Sequence, residues 1–141
     1  MNETESESLP TGGEDSIREL YRRLRFAEDL IGAMGTELAA TAWLAWRDAE
    51  GTVRAVTGRD RLSVGRDPGN DVVLSAPGVS RRHCSLSRDE GLVFIEDHGS
   101  RNGTFLNGGR VERRGALCSG DILEIGGVPL LFLGDPTAGG E

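Results

Sequence analysis

The sequence predicts an all-β domain, a sandwich of two antiparallel sheets, preceded by one amphipathic α-helix. Three observations carry this. Nine short apolar runs follow one another from residue 42 onward. Turn signals rich in Gly, Asn, Asp and Pro separate them, and many of the chain's 21 glycines fall there. Before residue 40 the apolar residues instead recur with helical spacing. Period two with frequent turns marks strands, and period 3.6 marks a helix.

Residues 1–13 are mainly Glu, Ser, Thr, Gly and Pro. They hold too little apolar surface to fold and are expected to form a disordered acidic tail. Residues 14–40 read as the helix, with its strongest pattern over 16–38. Ser16 and Glu19 have the spacing of a capping box. Ile17, Leu20, Leu24, Ala27, Ile31, Met34 and Leu38 fit an a/d seam, with Tyr21 and Leu30 beside it. Three heptads are short for a coiled coil. Docking on the chain's own β domain and self-association through helix 16–38 both fit this amphipathicity.

Residues 41–134 hold the sandwich. The runs are Ala42–Trp46, Val53–Val56, Leu62–Val64, Val72–Leu74, Cys84–Leu86, Leu92–Ile95, Thr104–Leu106, Ile122–Ile125 and Val128–Leu133. Alternation puts Cys84 and Leu86 on one face and His83, Ser85 and Ser87 on the other. Residues 135–141 are expected to fray.

A length of 141 residues supports one domain with a core of its own. The net charge of −7 argues against nucleic acid as a partner. Residues 1–40 carry nine acids against four arginines, a balance of −5. Residues 41–141 carry fourteen against twelve, a balance of −2. All 16 basic residues are arginine, so every cation is a planar fork suited to carboxylate or phosphate. Cys84 and Cys118 lack metal-site spacing and read as two reduced core thiols, with no metal and no cofactor. No leading apolar segment and no run of about 20 apolar residues is present. A cytoplasmic protein with no membrane contact is therefore expected, and the sequons at Asn2 and Asn102 are coincidental.

The polar chemistry sits in three loops beside strand ends. They are Gly65-Arg66, Val79-Ser80-Arg81-Arg82-His83 and Gly99-Ser100-Arg101-Asn102-Gly103-Thr104. Loops at one end of a sandwich can converge into a site. Arginines, a hydroxyl and an amide brought together without a carboxylate suit a dianion. The alternative is a set of solvated arginines on a turn-rich surface. His83 invites an acid–base reading, but no nucleophile or carboxylate is implied beside it. No catalytic triad spacing, metal cluster or P-loop supports an enzyme.

The segments VGRDPGNDVVLSAPGVSRRHCSL, EDHGSRNGTFLNGGRV and SGDILEIG resemble the forkhead-associated (FHA) domain. The pattern is GR, SxxH, NGT with a following Asn, and GD. It is met by Gly65-Arg66, Ser80 with His83, Asn102-Gly103-Thr104 with Asn107, and Gly120-Asp121. The resemblance covers roughly residues 42–133. It implies an FHA-type sandwich that binds phosphothreonine peptides through loops at one end. Arg66 and Ser80 would bind the phosphate. Asn102 would clamp the peptide backbone, and Arg81 would face the phosphate or the peptide. Arg101 replaces a small hydroxyl residue of many members and would remove a contact or supply a cation. Gly65, His83, Gly103, Thr104 and Asn107 would be framework, and Arg82 a solvated charge. The implied partner is a phosphothreonine-containing protein, a Ser/Thr kinase or its substrate. Some members carry a phosphorylatable threonine in an N-terminal tail that folds into their own pocket. Thr4, between Glu3 and Glu5, is the candidate here, and a merely solvating tail is the alternative.

Overall fold

The trace of the apolar runs accounts for most of the sheet structure. The computed structural model describes residues 13–134, of which 13–16 are described as backbone only. Thr4, residues 1–12 of the expected acidic tail and residues 135–141 lie outside the described residues. Two helices lead: α1 (Gly13–Met34) and α2 (Thr36–Thr41). Eleven strands follow: β1 (Ala42–Arg47), β2 (Val53–Thr57), β3 (Arg61–Gly65), β4 (Val72–Val73), β5 (Cys84–Asp89), β6 (Leu92–Asp97), β7 (Thr104–Leu106), β8 (Gly109–Arg110), β9 (Arg114–Leu117), β10 (Ile122–Ile125) and β11 (Val128–Phe132).

The strands form two sheets in the orders β2-β1-β11-β10-β7-β8 and β4-β3-β5-β6-β9. Pairing is antiparallel except for β3 with β4, which run parallel. Trp43, Leu44, Leu62, Leu86, Ile95, Leu123, Ile125 and Phe132 fill the space between the sheets. Burying this apolar surface supplies the main driving force of the fold. Trp43 and Phe132 meet edge to face with centroids 6.2 Å apart. The all-β sandwich with a helix in front is thus the observed architecture. β8 and β9 had no apolar run to announce them. β8 is two exposed residues, and in β9 only Leu117 is buried. Cys118 is exposed and only Cys84 is a core thiol, which corrects the expectation of two buried ones.

The front helix departs from its expected form at both ends. It starts at Gly13, so Ser16 lies inside the first turn and not ahead of it. Gly35, at φ +90°, separates α1 from α2. That conformation costs a residue with a Cβ far more than it costs glycine.

The expected seam is also split. Leu30 is fully buried against Ala45 and Leu131, on the face of the first sheet turned away from the second. Phe26, Ala27, Ile31 and Met34 pack around it. Ile17, Leu20, Tyr21 and Leu24 remain about half exposed or more. At 3.6 residues per turn, the docked and exposed faces differ by roughly a quarter turn. The Arg47 guanidinium donates to Asp29 at 2.9 Å and fastens the docked half.

Candidate functional site

Glycines let backbones touch at two places around the second polar loop. A Cβ on Gly65 would run into the Arg81 carbonyl and the Asn70 amide. Without one, Arg66 N–H donates to the Ser80 carbonyl at 3.0 Å and Asp67 N–H to the Arg81 carbonyl at 3.2 Å. Asn70 Nδ2 donates to both the Arg81 and the Asp67 carbonyls, at 2.8 and 2.9 Å. The β3–β4 turn is thereby laced to the Ser80 loop. Gly78 and Gly126 likewise lie backbone on backbone, and a Cβ on either would strike the other's carbonyl. The turn between β10 and β11 thus props the loop that carries Ser80.

His83 is fully buried and joins two loops through its ring. Ser80 N–H donates to Nδ1 at 3.0 Å, and Nε2 lies 2.9 Å from the Gly103 carbonyl. These partners require the proton on Nε2. Both nitrogens are spent on backbone groups, which makes this histidine a brace and leaves no lone pair for catalysis.

The third loop is organised by Asp97. One oxygen accepts from Ser100 Oγ at 2.6 Å and Thr104 Oγ1 at 2.7 Å. The other accepts from the N–H groups of Gly99 and Ser100, both at 3.0 Å. Partial burial pushes its carboxyl up, but the Ser100, Thr104 and Gly99 donors outweigh this and hold it below the usual aspartate range. Ser100 Oγ also accepts from Gly103 N–H at 2.9 Å. Gly103 sits at φ +88°, where glycine is favoured. Burial raises the Cys84 thiol far above its ordinary range, so it stays protonated beneath this network.

The functional groups sit on this frame. Arg66 Nε donates to the Val79 carbonyl at 2.9 Å, leaving its terminal nitrogens for a ligand. Ser80 Oγ accepts from Arg101 N–H at 3.0 Å, which leaves its own O–H to donate. Asn102 Nδ2 donates to the Gly78 carbonyl at 2.8 Å, leaving its carbonyl oxygen available as an acceptor. Arg66, Ser80, Arg81, Arg101 and Asn102 line one cleft of about 240 Å³ together with Pro77, Gly78 and Val79. The structure therefore brings all five expected binding residues together. Arg82 turns to a neighbouring depression with Arg61, Asp67 and His98.

Of the expected framework residues, Gly65, His83, Gly103 and Thr104 brace the loops. Asn107 is framework at the other end of β7. Its amide donates to Asp121 at 3.0 Å, and its oxygen accepts from Ile122 N–H at 2.9 Å. Asp121 in turn accepts from Cys118 N–H at 2.8 Å. Asp97, Asn70, Gly78 and Gly126 were missed by sequence reasoning, and Ser100 was placed in the third loop without a role of its own. An Asp with Gly two and Ser three residues later is an Asx-turn signal that could have pointed to Asp97.

A β-sandwich whose end loops converge on a cationic, acid-free cleft has the form of a ligand-recognition module. Residues 62–126 match the FHA domain model. The FHA-1 domain of Rv1747 from Mycobacterium tuberculosis superposes with a TM-score of 0.53 and 34% identity, over 67% of this chain and 97% of that one. A structure solved in work on phosphothreonine-dependent FHA domain interactions gives a TM-score of 0.59 at 26% identity, over 68% and 98%. The oxoglutarate dehydrogenase inhibitor of Corynebacterium diphtheriae is 38% identical over 86 residues, 60% of this chain and 59% of that protein. The chain thus spans little more than half the length of that relative. The chain belongs to the FHA domain family.

Proposed function

We propose that this protein recognises phosphothreonine on a partner protein. The observation that carries the reading is the cleft itself, in which three arginines, a serine hydroxyl and an asparagine amide converge with no carboxylate in the lining. Guanidinium forks pair with phosphate oxygens by short charge-assisted bonds, and the Ser80 hydroxyl completes the cradle. Arg66 and Ser80 bind the phosphate, Asn102 holds the peptide backbone, and Arg81 and Arg101 flank them. The protein acts in the cytoplasm as an adaptor downstream of Ser/Thr kinases, passing its signal by contact and not by catalysis.

Arg66→Ala is expected to weaken binding of a phosphothreonine peptide at least tenfold by calorimetry, while the domain stays folded. Charge-assisted bonds of about 1.5–3 kcal/mol each account for that size. Equal affinity in mutant and wild type would remove the reading. Thr4, once phosphorylated, is a candidate occupant of the same cleft. Deleting residues 1–12 should raise peptide affinity after kinase treatment and not before it.

A second reading has one observation in its favour. Ile17, Leu20, Tyr21 and Leu24 are 56%, 48%, 63% and 51% exposed along one face of α1. Pairing of two copies through this face would make the protein a scaffold independent of phosphate.

A further inference from the structure

The cleft holds more positive charge than one phosphothreonine needs. A phosphothreonine carries −1.5 to −2 at neutral pH. Arg66, Arg81 and Arg101 bring three permanent positive charges to the lining, and none of its other residues is ionisable. Among the described residues, neither the Arg81 nor the Arg101 side chain has a hydrogen bond or ion pair within the chain. Several other arginines do pair internally, among them Arg47 with Asp29, Arg54 with Asp48 and Arg59 with Asp71.

These cations are also placed by their backbones. Arg66 N–H is tied to Ser80 and the Arg81 carbonyl to Asp67 and Asn70, while Arg101 N–H is tied to the Ser80 hydroxyl. Arg101 therefore begins at the phosphate-binding hydroxyl and sits one residue before Asn102. A peptide held at both points carries its neighbouring side chains past Arg101. Successive residues of an extended peptide lie about 3.3 Å apart, well within the reach of an arginine.

We infer that Arg101 reads a second anionic group beside the phosphothreonine, so that the preferred ligand is a phosphothreonine flanked by an acidic or second phosphorylated residue. This rests on the phosphothreonine reading above and deepens it. It separates the roles of the arginines: Arg66, with Ser80, holds the first phosphate, and Arg101 selects its neighbour. The chain's own Glu3-Thr4-Glu5 has this composition.

The test uses the full chain and three synthetic peptides that differ only around one phosphothreonine. One has glutamine on both sides, one has glutamate on both sides, and one has a second phosphothreonine beside the first. Calorimetry at fixed salt is expected to show at least one anionic peptide binding about tenfold tighter than the glutamine peptide. The two anionic peptides tell a carboxylate preference from a phosphate one. Arg101→Gln should lose the preference, binding the three peptides within twofold of one another, with an unchanged thermal midpoint. Equal wild-type affinity for all three peptides would overturn the inference. So would an equal loss by Arg101→Gln across all three, since Arg101 would then hold the first phosphate. If no peptide binds the wild type, the phosphothreonine reading itself fails, a result distinct from equal binding.

Discussion

Asp97 accepts four hydrogen bonds from three residues, two from hydroxyls and two from backbone N–H groups. Only an ionised carboxylate can accept all four. Asp97→Asn keeps the size but turns an NH₂ group toward at least one donor. Leaving that donor unpaired costs about 1–3 kcal/mol. The expected outcome is a lower chemical-denaturation midpoint and a weaker phosphopeptide complex, although Asp97 does not line the cleft. The sign of its pH dependence follows from the lowered carboxyl. A group with a depressed folded-state pKa stabilises above its unfolded value, about 3.9 for Asp, and loses that contribution as pH falls through the folded value. Stability should therefore drop below about pH 4, and more steeply in wild type than in Asp97→Asn. Asp48 and Asp71 are also lowered, chiefly by the N–H groups of Thr52 and Ser63, so the mutant should keep part of the acid loss. A pH series of thermal melts decides this, and superposed profiles would refute it.

At the scale of elements, the β10–β11 turn is the support of the Ser80 loop. Gly126 and Gly127 both have positive φ, at +59° and +89°. A Cβ on Gly126 meets the Gly78 backbone, whereas one on Gly127 meets nothing within 4 Å. Both alanine variants bear backbone strain, but only Gly126→Ala must also push the loop that positions Asn102. Gly126→Ala is expected to lower phosphopeptide affinity severalfold, while Gly127→Ala loses stability and keeps affinity. The Asn102 side-chain amide signals in NMR should move in the first variant only, with no ligand needed. These two glycines look alike as a turn signal in the sequence. What separates them is a loop 48 residues earlier in the chain, which no local pattern reports.

For the molecule as a whole, α1 crosses the strands of the first sheet. Leu30 sits on β1 and β11. Seven residues earlier, Arg23 donates to the Asn107 carbonyl beyond β7 at 3.4 Å. The ten residues before Arg23 continue for about 15 Å at the helical rise. That is more than the width of the single remaining strand β8. The exposed Ile17, Leu20 and Tyr21 belong to this overhanging part, and Leu24 borders it. If copies pair there, analytical ultracentrifugation will show a dimer that Leu20→Glu with Leu24→Glu abolishes, with phosphopeptide affinity per chain unchanged. A monomeric wild type at high concentration would remove the second reading. Among the described residues no helix is long and apolar enough to cross a membrane.

The sequence by itself determined the layered β architecture, because alternation and turn residues act within a few positions of each other. It also determined which loops line the cleft, because GR, SxxH and NGT are short and keep their order. Only the tertiary structure decided what holds those loops. Asp97, Asn70, Gly78 and Gly126 act through partners that folding brings together, and their residue types are common in any turn. The helix shows the same division. Its apolar spacing was legible, but which face docked depended on Ala45 and Leu131, small and large side chains on two strands that meet only in the sheet.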